Sequence, residues 1–96
     1  MSDPIIRKRY VLTGAVQGVG LRWRARHAAQ ALGVCGWVQN NWDGSVTMEL
    51  QGQAAQLERL LQTLLESRYI QLDRLDAQSV APDPDDRGFH VLDDRW

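Results

Sequence analysis

Ninety-six residues, 44% of them hydrophobic and 24% charged, with a formal charge of −1, describe one globular domain (1–96) with room for a single core. No apolar run approaches the roughly 18 residues that span a bilayer, and Met1-Ser2-Asp3-Pro4 is no secretory leader, so a cytoplasmic protein without a membrane partner is expected. The near-neutral charge balance argues against sequence-independent nucleic-acid binding, and a single cysteine, Cys35, excludes an internal disulfide.

Taken in chain order, Arg7 to Thr13 reads as a strand, β-branched and aromatic at Tyr10 and Val11, and Gly14 ends it. From Leu21 to Leu32 the apolar residues Leu21, Ala25, Ala28, Ala29 and Leu32 recur at helical spacing, and Gly33 stands where a left-handed C-terminal cap is expected. Val34 to Asn40 predicts a second strand, with Cys35 and Trp37 on one face and Gly36 and Val38 on the other. Asp43-Gly44 supplies a tight turn, and Ser45 to Gln51 returns antiparallel with Val46, Met48 and Leu50 inward and Thr47, Glu49 and Gln51 outward.

Ala54 to Glu66 predicts a second amphipathic helix with a stripe of Leu57, Leu60, Leu61, Leu64 and Leu65. Gln71 to Ser79 reads as a fourth strand in which Leu72 and Leu75 break strict alternation and mark a bulge. Residues 81–88 form a polar loop, and Phe89 to Leu92 a short closing strand. The order β-α-β-β-α-β plus one short C-terminal strand defines an α+β fold, a ferredoxin-like α/β sandwich with an antiparallel sheet and both helices on one face.

Charge is distributed unevenly along this order. Residues 1–40 hold six basic side chains against one acidic, a net of +5, whereas residues 83–94 sum to −4. The stretch Gly14-Ala15-Val16-Gln17-Gly18-Val19-Gly20 leads straight into the first helix. Glycines at this spacing let the backbone turn tightly and aim several N–H groups at one point, where the helix dipole adds positive potential. Arg22 contributes a forked cationic donor suited to phosphate or carboxylate. Together these residues read as an anion cradle. Asn40 ends the second strand, and the interleaved order, with the hairpin strands placed beside the first, brings it next to the helix that starts at Leu21. An amide that both donates and accepts, beside an arginine holding an anion, is suited to guiding a water molecule.

These residues carry a resemblance to the acylphosphatase family. Gly14-Ala15-Val16-Gln17-Gly18-Val19 followed by Arg22 matches its first signature, and Gly36-Trp37-Val38-Gln39-Asn40, Gly44-Ser45-Val46 and Gly52 match its second. The resemblance implies the same ferredoxin-like fold and hydrolysis of the carboxyl–phosphate bond of a small-molecule acylphosphate, with no metal and no cofactor. It implies that Arg22 binds the phosphate, that Asn40 orients the attacking water, and that Gly14, Ala15, Val16, Gln17, Gly18, Val19 and Gly20 form the phosphate loop. Departures from the family pattern fall at Leu21, Asn41, the segment Ser67-Arg68-Tyr69 and the acidic tail ending in Trp96. The competing reading is a non-catalytic ferredoxin-like domain that binds an anionic ligand, RNA or a protein.

The remaining candidates read as structural. Gly18-Val19-Gly20 lacks the third glycine of a dinucleotide fingerprint and the Lys-Ser/Thr ending of a nucleotide P-loop. His27 and His90 have no partner at ligand spacing, and Cys35 reads as a small hydrophobe. Gln17 either points at the ligand or holds the loop's shape. Arg26, one turn beyond Arg22, reads as part of a solvated helix face, and Trp42 as an exposed turn residue. A monomer is the default for a chain without a long apolar patch.

Overall fold

Strand β1, Ile6–Ala15, buries alternate residues: Tyr10 and Leu12 face the helices, while Arg7 faces the opposite side of the sheet. In the computed structural model, which describes residues 3–93, six further elements follow. They are α1 (Leu21–Leu32), β2 (Cys35–Asn40), β3 (Val46–Gly52), α2 (Ala54–Leu65), β4 (Gln71–Val80) and β5 (Phe89–Val91). The sheet order is β4-β1-β3-β2-β5. Four strands pair antiparallel, as expected, and β5 joins the outer edge of β2 in parallel. The hairpin strands do not both flank β1: β3 alone pairs with it, and β2 lies one strand further out.

One core fills the space between sheet and helices. Val38, Val46, Met48 and Leu50 rise from the sheet to meet Ala25, Ala28 and Ala29 of α1 and Leu57, Leu60 and Leu64 of α2. The α2 stripe is narrower than its sequence suggests: Leu61 is partly buried and Leu65 is exposed. Both helices are tied down by side chains. Gln56 accepts from the backbone N–H of Gln53 (2.8 Å) and donates to the carbonyl of Leu32 (2.8 Å), capping the start of α2 and the end of α1 together. Arg24 donates to the carbonyl of Thr63 at 3.2 Å, near the end of α2. The bulge sits in β4, where the register skips Asp73 between Gly14↔Leu72 and Thr13↔Arg74. Charged residues and this bulge mark β4 as an edge strand.

The open face of the sheet departs most from the sequence reading. Glu49 and Gln51 do point away from the helices, yet both are buried, because the 81–88 loop folds back over them. Arg7 donates to Glu49 (2.7 Å), to Gln51 (3.1 Å) and to Asp86 (2.9 Å), and Arg9 donates to the second Glu49 oxygen at 2.7 Å. Gln51 closes the network by accepting from the N–H of Asp83 and donating to its carbonyl. The loop is polar in sequence because its partners are buried charges.

Burial pushes the Glu49 carboxyl up, but the hydrogen bonds and charges of Arg7 and Arg9 outweigh it and hold the group below its ordinary value. Asp86 is lowered in the same way: desolvation raises it, while Arg7, the Gly88 N–H and His90 lower it further. A carboxyl lowered in the fold contributes stability that is complete above its unfolded pKa, at about 4. That contribution is lost as the pH falls through the folded value. Urea-unfolding stability is therefore expected to drop between about pH 5 and pH 2, and Glu49→Gln to flatten the drop. An acid limb as steep in the variant as in the wild type would exclude Glu49 from this role.

Candidate active site

The chain leaves β1 at Ala15 and reaches α1 through five residues whose side chains divide the work. Val16 is buried and Val19 packs partly against the core, so the two valines anchor the loop. Gly18 and Gly20 adopt positive φ (71° and 80°), a backbone state that costs other residues strain, and both line a pocket. Among the described residues the N–H groups of Gln17, Gly18, Val19 and Gly20 have no partner, whereas that of Val16 turns back to the Gly14 carbonyl at 3.0 Å. Gly20 forms the N-cap of α1, so the orphan donors of the first helical turn follow directly on the loop's own.

The pocket has a volume of about 410 Å³. Val16, Gly18, Gly20, Leu21, Arg22, Trp23, Arg26, Asn40 and Val91 line it. The fold thus brings Arg22 and Asn40 together, from α1 and from the end of β2. Asn40 is only 6% exposed, and its Oδ1 is buried without a hydrogen-bond partner among the described residues. A buried amide oxygen left in this state costs free energy that a purely structural position would avoid.

Not every residue of the expected loop reaches the pocket. Gly14 and Ala15 belong to β1, paired with Leu72 and Gln71, and do not line it. Gln17 turns its side chain the other way. Its amide donates to the carbonyls of Asn41 (2.7 Å) and Ser45 (2.8 Å), which fastens the loop to the β2–β3 hairpin. The hairpin is braced in turn: Asn41 donates to Ser45 Oγ (3.0 Å) and Thr47 Oγ1 (2.8 Å). Asp43 accepts from the hydroxyl and N–H of Ser45, and these bonds lower its pKa. Loop and Asn40 are therefore positioned by one turn. Asn41, a departure from the family pattern, does this bracing.

Besides Leu21, which starts α1, three lining residues are not marked by the sequence as site residues. Trp23 is 65% exposed, with its ring tilted against His27 at a centroid distance of 4.1 Å. Val91 arrives through the parallel β5 pairing, which the order of elements alone does not disclose. Arg26 sits on an exposed helix face, as expected, but that face borders the pocket. Trp42, by contrast, is 73% exposed and away from the pocket lining. The positive charge of the first forty residues is mostly spent elsewhere. Arg7 and Arg9 pair with Glu49 and Arg24 bonds to Thr63, so Arg22 and Arg26 alone of the six line the pocket.

Fold and site define the class first: an α+β sandwich with a pocket between a glycine loop, a helix N-terminus and a strand end. The acylphosphatase family model matches residues 8–91. The chain is 38% identical over 92 residues to the acylphosphatase of Koribacter versatilis, covering 95% of this chain and 84% of the relative. It is 32% identical over 87 residues to that of Geobacillus thermodenitrificans, covering 90% and 93%. The crystal structure of acylphosphatase from Bacillus subtilis superposes with a TM-score of 0.82 at 23% identity, covering 91% of this chain and 98% of that one, a likeness of fold. The chain belongs to the acylphosphatase family, and it is an enzyme of that class.

Proposed function

We propose that this acylphosphatase works by direct attack of a water, oriented by Asn40, on a phosphate held by Arg22 and the 14–20 loop. The carrying observation is the buried, unpartnered Oδ1 of Asn40 in the pocket that Arg22 lines. Arg22 would grip two phosphoryl oxygens with its fork, and the free N–H groups of Gln17 to Gly20 would take the others. Gly14 and Ala15 set where the loop leaves the sheet. Asn40 Oδ1 accepts one water O–H, which turns the water's lone pair toward phosphorus.

The water oxygen forms the new P–O bond while the bond from phosphorus to the acyl oxygen breaks, and the electron pair leaves with the carboxylate. The two water protons go to the product phosphate and to solvent. A carboxylate is a good leaving group, so positioning and charge stabilisation carry the catalysis, and neither a strong base nor a covalent nucleophile is required. Positive charge comes from Arg22 and the backbone, so the scheme calls for no metal or cofactor. The substrate is a small-molecule acylphosphate, and we place the enzyme in the cytoplasm as a monomer.

Purified protein is expected to hydrolyse benzoyl phosphate at the same rate with and without a chelator. Chelator-sensitive turnover would contradict the scheme, and absence of turnover would favour a non-catalytic anion-binding domain.

A further inference from the structure

The pocket is larger than its phosphate half requires. At about 410 Å³ it exceeds what a phosphoryl group and one water fill, given roughly 30 Å³ for a water. The remaining lining comprises Trp23, Arg26 and Val91, the part open to an acyl group. Among the described residues, no aspartate or glutamate lines the pocket. Arg26 lies four residues beyond Arg22, one helical turn or about 6 Å along α1. Unlike Arg7, Arg9 and Arg24, Arg26 has no hydrogen bond or ion pair among the described residues. A guanidinium without a partner among the described residues, at the edge of the proposed phosphate site, favours a negative charge at its own position.

We infer that Arg26 is a specificity-determining residue: it selects acylphosphates whose acyl group carries a second negative charge, by pairing with that charge one turn away from the phosphate. The inference rests on the hydrolytic reading above. It assigns Arg26 no part in bond breaking. Trp23 and Val91 supply apolar walls on which the body of the acyl group rests, between its two anionic ends.

Benzoyl phosphate and 4-carboxybenzoyl phosphate differ by one para-carboxylate, and neither can cyclise. The quantity to compare is the ratio of kcat/KM for the carboxylated to the plain substrate, in wild type, Arg26→Ala and Arg26→Lys. The electronic effect of the carboxylate on the leaving group is common to all three proteins and cancels between them, and Arg26→Lys separates its charge from its bulk. Arg26→Ala is expected to lower the ratio about fivefold, mainly through KM, the upper end of what an exposed charge pair supplies. Arg26→Lys should recover most of the loss, and added salt should lower the wild-type ratio toward that of Arg26→Ala. An unchanged ratio overturns the inference, and so does an equal loss on both substrates, which would place Arg26 on the shared phosphate. Wild-type protein inactive on both substrates would defeat the hydrolytic reading itself, and this inference with it.

Discussion

Asn40→Ala is expected to lower kcat on benzoyl phosphate by about 10²–10³, the range seen when one preorganised polar group is removed from a transition state. Phosphate affinity, read from inhibition by inorganic phosphate, should change little, because the loop and Arg22 remain. Arg22→Ala should lose at least as much in kcat/KM and should also weaken phosphate inhibition, since the arginine holds the phosphate before and during attack. Neither loss should come from unfolding. Asn40 Oδ1 has no partner among the described residues, so its removal breaks no hydrogen bond there, and stability should fall by less than about 1 kcal/mol. Urea titration of both variants checks that point beside the kinetics. A folded Asn40→Ala enzyme with wild-type kcat would remove Asn40 from the water-orienting role. Unaltered phosphate inhibition in Arg22→Ala would remove Arg22 from phosphate binding.

What the sequence discloses about this protein follows the range of the signals involved. Local patterns set α1, α2 and the hairpin, because helical spacing and the Asp43-Gly44 turn are decided within a few residues. Arg22 stood out for the same reason, lying two residues past a glycine loop. Asn40 needed the order of the elements as well, since it comes from a different strand. The buried network of Arg7, Glu49 and Asp86 was not legible: alternation assigns Glu49 to the outer face correctly, but nothing local says that a loop more than thirty residues later will cover it. Val91 reaches the pocket through the parallel β5 pairing, which is equally non-local. The direction of the Gln17 side chain depends on hairpin carbonyls more than twenty residues away in the chain, which its local sequence does not specify.

Gly36→Ala should be the most damaging single methyl group added to this chain. Gly36 pairs with Leu50 across β2 and β3 at φ 138°, and a Cβ built there would lie 1.8 Å from the Glu49 carbonyl oxygen and 2.8 Å from its carbon. Both are backbone atoms of the neighbouring strand, so no side-chain rotation relieves the clash. Strain at positive φ costs of order 1–3 kcal/mol and overpacking a similar amount, so a loss of about 4 kcal/mol is expected. Against a typical stability of about 5–15 kcal/mol, that leaves the variant marginal. Gly33→Ala is the milder comparison, in the left-handed helical region. It carries positive φ (71°) with nothing within 4 Å of the added carbon, so it should cost only about 1–2 kcal/mol. The difference between the two melts combines the strand clash with the harsher φ of 138°, and equal losses would show that close strand approach is not what demands glycine at Gly36. The consequence reaches the site, because Gly36 and Asn40 share strand β2. If β2 must move from β3 to admit the methyl, Asn40 moves with it. The folded fraction of Gly36→Ala should then lose kcat beyond what its stability explains, whereas folded Gly33→Ala should retain it.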